Sequence, residues 1–131
     1  MNDTQASPRN ANRVLVVDDD PDILDTVDLY FSERGFDVVT ARSGTEGLNQ
    51  VHVAPPDLII LDLMMPGMSG TEFMVRLREL GIHIPIIIIT ADTEAPRRMK
   101  GRTGDGLFLK PFKLSELAAA TERVLERAPG H

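Results

Sequence analysis

The stretch Leu58-Ile59-Ile60-Leu61-Asp62 decides the fold class, because four consecutive apolar residues lead without polar alternation to a carboxylate. A second run of the same kind, Ile86-Ile87-Ile88-Ile89, ends at Thr90. Strands that are apolar at every position are typical of the centre of a parallel sheet, where both faces are buried. The two runs therefore predict an α/β fold with helices on both faces of the sheet.

Shorter β-branched runs alternate with helical patterns on either side of these two strands. The run 36–40 mixes polar and apolar residues and suits an edge strand. Five successive βα units imply a five-stranded parallel sheet. We predict strands near 13–17, 36–40, 58–61, 84–89 and 106–109, and helices near 21–34, 43–52, 70–80, 93–100 and 114–127.

Capping residues support the predicted starts of the helices. Asp20 stands before Pro21, which suits a helix N-cap followed by proline at the first helical position. Two Ser-x-x-Glu sequences, beginning at Ser43 and Ser69, have the spacing of a capping box. The second and third helices are therefore expected to begin directly after these serines.

Composition and charge exclude several classes of protein. The chain has 131 residues, 42% of them hydrophobic, which fits one domain. It has no cysteine, so it can form neither disulfides nor a thiolate metal site, and we expect a cytoplasmic protein. The longest apolar run is too short and too interrupted to cross a membrane. The net charge of -6 argues against direct binding of nucleic acid.

The boundaries of the domain follow from the same pattern. Residues 1–12 are polar and lack apolar periodicity, so we predict a mobile N-terminal tail. The folded domain is expected to span residues 13–128, with a C-terminal tail at residues 129–131. The sequence leaves open whether this domain stands alone or comes from a longer protein.

Polar residues follow four of the five predicted strands. They are Asp18 and Asp19 after the first strand, Asp62 after the third, Thr90 after the fourth and Lys110 after the fifth. In open parallel sheets, ligands bind outside the carboxyl ends of the strands. If the strand order is 2-1-3-4-5, these residues converge on one site.

Three carboxylates at one site point to a bound cation, since like charges disfavour one another's ionised forms. An all-oxygen ligand set without nearby histidine or cysteine favours Mg²⁺, which also binds phosphoryl oxygens. A threonine hydroxyl and a lysine ammonium would add groups that stabilise a transferring phosphate. The combination indicates phosphoryl transfer to a carboxylate.

Four segments of the chain together resemble the signature segments of response-regulator receiver domains. They cover about residues 13–127 and occur in the family's order. The segments are Val14-Leu15-Val16-Val17-Asp18-Asp19-Asp20, Leu61-Asp62-Leu63-Met64-Met65-Pro66-Gly67-Met68-Ser69-Gly70, Ile89-Thr90-Ala91 and Leu109-Lys110-Pro111-Phe112. The resemblance implies a flavodoxin-like receiver fold with strand order 2-1-3-4-5, and residues 13–128 would then be the receiver domain.

The same resemblance implies a role for each acidic residue. Asp62 would accept a phosphoryl group from the phosphohistidine of a histidine kinase or phosphotransfer protein. Asp19 and Asp62 would bind Mg²⁺ directly, Asp18 would bind it through water, and the main-chain carbonyl of Met64 would complete the protein ligands. The protein would be a two-component regulator that catalyses only its own phosphorylation and dephosphorylation, not an enzyme.

Further expectations from the family concern the phosphoryl group and the output. Thr90 and Lys110 would hold phosphoryl oxygens, and the Lys110–Pro111 peptide bond is expected to be cis. Phosphorylation would switch the binding of a downstream protein effector through the face formed by helix 4, strand 5 and helix 5. The protein would be a monomer or a weak phosphorylation-dependent dimer.

The sequence departs from the family near its fourth helix. Relatives usually have an aromatic residue three positions before the lysine, where this chain has Leu107, and Phe108 comes one place later. Pro96 predicts a short or shifted fourth helix. We expect residues 92–104 to be the most mobile part of the folded domain.

Two other functions are compatible with parts of the sequence. One is a receiver-like interaction domain that acts without phosphorylation. A less favoured one is a haloacid-dehalogenase-like phosphatase with Asp18 as nucleophile and Asp20 as acid and base, although Asp22 replaces that family's threonine. A calcium loop starting at Asp18 is excluded, because its sixth position is Ile23 instead of glycine.

Two local features have plainer interpretations. Met64, Met65 and Met68 are expected to pack in the loop after the third strand. The basic run at residues 97–102 is interpreted as a solvated helix face, and a patch for an acidic partner is the alternative.

Overall fold

A computed structural model describes residues 11–100 and 104–127. Residues 1–10 of the predicted N-terminal tail (1–12) lie outside the described residues, as do residue 128 and the predicted C-terminal tail at residues 129–131. Strands and helices alternate throughout, as predicted. The elements are β1 (Arg13–Val17), α1 (Pro21–Glu33), β2 (Asp37–Ala41), α2 (Gly44–Val53), β3 (Leu58–Asp62), α3 (Gly70–Glu79), β4 (Ile86–Thr90), α4 (Ala95–Arg98), β5 (Leu107–Leu109) and α5 (Leu114–Arg127).

The five strands form one parallel sheet in the order β2-β1-β3-β4-β5. The predicted fold class and strand order are therefore confirmed. Every residue of β3 and β4 is buried, as the unbroken apolar runs require, whereas β2 lies at the edge and is only partly buried. No described helix combines the length and apolar composition needed to span a bilayer.

The sheet has a hydrophobic core on each face because its side chains alternate between the two faces. Leu15 and Val17 of β1 pack with residues of α2, α3 and α4, including the fully buried Phe73. Val14 and Val16 instead join α1 and α5. The helices therefore cover both faces, and the carboxyl ends of the strands remain free to carry the polar residues.

The predicted N-caps form, but among the described hydrogen bonds neither capping-box glutamate bonds back to the N–H of its cap residue. The side chain of Asp20 accepts a hydrogen bond from the backbone N–H of Asp22, and Ser43 caps α2 through the N–H of Glu46. The Glu46 carboxylate, however, accepts from the N–H of Arg42 at 2.7 Å, one residue before the cap. The glutamate of this capping box therefore accepts from the residue before the cap and not from the cap residue itself.

Helix α4 has only four residues, fewer than the predicted 93–100. Pro96 occupies its second position and has no N–H, and the side chain of the N-cap Glu94 makes no capping hydrogen bond. The helix therefore lacks part of the hydrogen bonding that normally stabilises a first turn. This outcome agrees with the expected disturbance near Pro96.

The chain re-enters the sheet through an antiparallel bridge between Gly104 and Ile87. Gly104 has a φ of +64°, and a Cβ there would lie 2.7 Å from the carbonyl oxygen of Ile86. The next residue, Asp105, bonds both backbone groups of Ile86: its N–H donates to the carbonyl at 2.8 Å, and its carboxylate accepts from the N–H at 2.9 Å. These bonds cover the start of β4, which the three-residue strand β5 does not reach.

Candidate functional site

Five of the six predicted site residues are expected to act through their side chains, and all five lie at the carboxyl edge of the sheet. Asp62 and Thr90 are the last residues of β3 and β4, and both are buried. Asp18 and Asp19 directly follow β1, and Lys110 directly follows β5. The N–H of Lys110 donates to the carbonyl of Thr90 at 2.8 Å, which extends the pairing of β4 and β5 to the site.

Three carboxylates form an acidic cluster at this edge. Asp18, Asp19 and Asp62 each offer an oxygen within 4.8 Å of the others. Asp18 is 0% exposed and Asp62 is 3% exposed, whereas Asp19 is open to solvent. The cluster therefore combines two carboxylates removed from water with one at the surface.

Lys110 links the two buried carboxylates. Its Nζ lies 2.8 Å from Oδ2 of Asp18 and 3.5 Å from Oδ2 of Asp62. Burial alone would lower the pKa of the Lys110 ammonium, but the hydrogen bond to Asp18 and the charges of Asp62 and Asp18 outweigh burial and raise it. The peptide bond from Lys110 to Pro111 is cis, as predicted.

Asp62 is the most perturbed acid of the site. Burial, followed by the negative charge of Asp18, raises the pKa of Asp62 from its usual 3.8 to about 6. The backbone N–H of Met64, which donates to Oδ1 at 3.2 Å, and the ammonium of Lys110 oppose this rise. A cation at the cluster would favour the ionised form, because it offsets the repulsion between the carboxylates.

The donor set fits Mg²⁺, since it consists of carboxylate oxygens without thiolate or imidazole ligands. Both oxygens of Asp18 already accept hydrogen bonds, Oδ1 from the N–H of Asp20 and Oδ2 from Lys110. Asp19 is exposed and makes no such side-chain bond in the described part of the chain. The arrangement therefore leaves Asp19 freer than Asp18 to bind a metal directly.

The side chain of Thr90 makes a hydrogen bond that the sequence did not reveal. Its Oγ1 accepts a hydrogen bond from the backbone N–H of Asp92 at 3.1 Å. The Asp92 carboxylate in turn accepts from the N–H of Glu94 and forms an ion pair with Arg98, at the two ends of α4. The hydroxyl at the site is thus connected to α4 through one residue.

Gly70 is a positioning residue that sequence reasoning missed. A Cβ at this position would lie 2.5 Å from the carbonyl oxygen of Asp62 and 2.7 Å from the Cα of Leu63. The N–H of Gly70 also donates to the carbonyl of Leu63 at 2.9 Å. Only glycine lets the start of α3 approach the strand end so closely, although the capping box at Ser69 marked the start of the helix.

The position of Leu107 agrees with the departure from the family pattern. Leu107 packs with the core on the side of α2, α3 and α4, whereas Phe108 packs on the opposite side with α1 and α5. Successive strand residues face opposite sides, so Phe108 cannot take the place of an aromatic ring at position 107.

Comparison with known proteins gives a consistent result. The family model described as the response regulator receiver domain matches residues 14–122. The chain is 35% identical over 118 residues to the transcriptional regulatory protein TrcR of Mycobacterium tuberculosis, covering 88% of this chain and 46% of TrcR. It is 36% identical over 121 residues to the cell cycle transcriptional regulator CtrA of Caulobacter vibrioides, covering 91% and 52%. The chain therefore spans about half the length of these relatives.

Solved structures show the same likeness. The receiver domain of the Francisella response regulator 1452 superposes with a TM-score of 0.81 at 32% identity, covering 88% of this chain and 98% of that one. The response regulator protein TrrA of Thermotoga maritima, solved in complex with Mg²⁺-BeF, gives a TM-score of 0.78 at 32% identity, covering 86% and 98%.

Proposed function

The chain belongs to the response regulator receiver domain family, and from this premise we propose that Asp62 accepts a phosphoryl group from the phosphohistidine of a histidine kinase or phosphotransfer protein. The observation that carries the proposal is the convergence of three carboxylates and one ammonium at the carboxyl edge of the sheet. The proposed receiver domain spans residues 13–128 and acts in the cytoplasm.

In the proposed transfer, an oxygen of Asp62 forms a bond to phosphorus while the bond from phosphorus to the histidine nitrogen breaks. The bonding electrons leave with the imidazole, and the product is an acyl phosphate on Asp62. Water later attacks this acyl phosphate and releases inorganic phosphate. The reaction regulates the protein itself, and the relatives are named as transcriptional regulators, not as enzymes.

The proposed cofactor is Mg²⁺, held directly by Asp19, Asp62 and the main-chain carbonyl of Met64, and through water by Asp18. When bound, the ion supplies positive charge against the carboxylates and the phosphoryl oxygens. The fit is supported by the oxygen-only donor set and by the raised pKa of Asp62. TrrA, a structural neighbour, was solved with Mg²⁺-BeF.

Lys110 and Thr90 are proposed to hold oxygens of the phosphoryl group on Asp62. The ammonium of Lys110 already lies 3.5 Å from an oxygen of Asp62, so a bound phosphoryl group would lie within its reach. The Thr90 hydroxyl accepts from the Asp92 N–H and can still donate its own hydrogen to the phosphoryl group. Movement of the hydroxyl toward that group would loosen the connection between the site and α4.

The proposed output is a change in the binding of a protein effector at the face formed by α4, β5 and α5. Leu107 lies on β5 in place of the family's aromatic residue, so the signal cannot pass through the turning of a ring at that position. The connection from Thr90 through Asp92 to α4 offers another route. Because the chain has a net charge of -6, we propose that it makes no direct contact with nucleic acid.

The test is to incubate the protein with Mg²⁺ and acetyl phosphate and to measure intact mass and peptide masses. The wild type and Asp25→Asn, an exposed control on α1, should gain one phosphoryl group, whereas Asp62→Asn should gain none. An acyl phosphate on Asp18 would contradict the proposal and favour the phosphatase alternative. Unchanged effector binding by Asp62→Ala in the presence of an active kinase would favour a phosphorylation-independent interaction domain.

A further inference from the structure

A groove of about 1140 Å³ lies between α3 and α4 beside the candidate site. It begins near Met64, two residues after Asp62, and continues toward Gly104. Its walls combine apolar side chains with charged groups of both signs. The described lining residues are Leu63, Met64, Ser69, Thr71, Met74, Val75, Arg78, Asp92, Arg98, Met99 and Gly104.

The groove has one short and one long wall, because α4 has only four residues. A four-residue helix is about 6 Å long, whereas the ten residues of α3 extend about 15 Å. Thr71, Val75 and Arg78 are spaced so that they lie along one stripe of α3. All three are exposed, and Val75 is 49% exposed. The stripe is therefore accessible to a binding partner along about two helical turns.

The floor of the groove is apolar and adaptable. Leu63, Met74 and Met99 are each less than 10% exposed, while Met64 at the mouth is 59% exposed. The sequence analysis expected the three methionines to pack within the loop, but Met65 lies in the core, Met68 packs against it, and Met64 is exposed. Unbranched methionine side chains change shape readily and are common on surfaces that accept varied apolar groups.

The charged rim is more positive than the chain as a whole. In the region that the structure describes, no acidic side chain pairs with the Arg78 guanidinium. Arg98 pairs with Asp92, so the groove carries two arginines against one carboxylate in a chain of net charge -6. Arg78, beside an apolar floor, is thus a cation that no described carboxylate neutralises.

We propose that the α3–α4 groove binds an acidic amphipathic helical segment of a partner protein. Apolar side chains of the segment would contact the methionine floor, and a carboxylate would pair with Arg78. The exposed stripe of about two helical turns on α3 favours an extended protein segment over a compact ligand. The inference goes beyond the proposed phosphoryl chemistry, because it concerns a surface formed by the unphosphorylated chain.

The test uses a fluorescein-labelled helical peptide with leucines on one face and glutamates on the other. A matched peptide carries lysines in place of the glutamates. Fluorescence anisotropy is measured without Mg²⁺ or phosphodonor, so the result does not depend on Asp62 chemistry. The glutamate peptide should bind saturably, and Arg78→Glu should weaken binding at least about tenfold.

Arg123→Glu is the matched control, because Arg123 is also exposed on a helix, in this case α5, and has no acidic partner within residues 11–100 and 104–127. It should leave the affinity within about twofold of wild type. Circular dichroism checks that both variants fold, and amide shifts should locate the peptide at Met64, Val75 and Met99.

Three results would overturn the inference. They are an absence of saturable binding, equal binding of the lysine peptide, and weakening by Arg123→Glu but not by Arg78→Glu. The last would place the peptide on the α5 face instead. A protein that still forms the acyl phosphate on Asp62 but fails to bind the peptide would refute only the groove proposal.

Discussion

Replacing Asp62 by asparagine should stabilise the fold at neutral pH when Mg²⁺ is absent. The native state raises the pKa of Asp62 from 3.8 to about 6, so ionisation is harder in the folded protein than in the unfolded chain. Between these two values the native state holds a proton that the unfolded chain has released. The free energy of unfolding therefore falls as the pH rises through this window.

The size of the effect follows from that pKa. The pKa of Asp62 is about two units higher in the folded protein than in the unfolded chain, and each unit is worth about 1.4 kcal/mol. Ionisation of Asp62 therefore lowers the free energy of unfolding by about 3 kcal/mol. Asparagine can still accept the hydrogen bond from the Met64 N–H, and the attraction between the Lys110 ammonium and the carboxylate is already contained in the raised pKa of Asp62. We therefore expect Asp62→Asn to gain about 1–3 kcal/mol above about pH 7.

Urea unfolding followed by circular dichroism, at about pH 4 and about pH 8 with a chelator present, measures the difference. Most of the gain should be lost at the lower pH, where the carboxyl group is protonated in the folded protein and about half protonated in the unfolded chain. Asp25→Asn should change stability by less than about 0.5 kcal/mol at either pH. A wild type more stable than Asp62→Asn at the higher pH, or a difference independent of pH, would refute the reasoning.

Three other perturbations test separate parts of the structure. Lys110→Ala should destabilise the fold by about 3 kcal/mol in urea unfolding, because it leaves the fully buried Asp18 without its cation; an effect below about 1 kcal/mol would contradict this. Gly70→Ala should cost more than about 3 kcal/mol, since its Cβ would collide with backbone, while Gly35→Ala should cost about 1 kcal/mol, because its strain comes only from a φ of +94°. By hydrogen exchange, amides at 92–100 should exchange faster than those of α1, and equal protection would disprove this.

Much of the fold could be predicted because it depends on local patterns. The unbroken runs 58–61 and 86–89 indicated central strands, and Asp20 and Pro21 marked the start of α1. The convergence of the polar residues at one edge follows from parallel strands in a known order. Neither inference requires the exact position of any side chain.

The parts that the sequence did not predict depend on tertiary distances. The need for glycine at position 70 arises from the approach of α3 to the end of β3, two segments whose contact no local pattern reveals. The sequence also could not show that Lys110 lies closer to Asp18 than to Asp62. The groove depends on how far α4 extends, which Pro96 suggested but did not fix.

The bridge at Gly104 has a consequence for the behaviour of the protein in concentrated solution. Ile86-Ile87-Ile88-Ile89 combines high β propensity with no charge, the composition of segments that add to neighbouring molecules strand by strand. At Ile86, where β5 no longer pairs with β4, the backbone groups bond to Asp105 instead of being left open. Because Asp105 occupies both backbone groups of Ile86, a strand of a neighbouring molecule cannot pair with β4 at that residue.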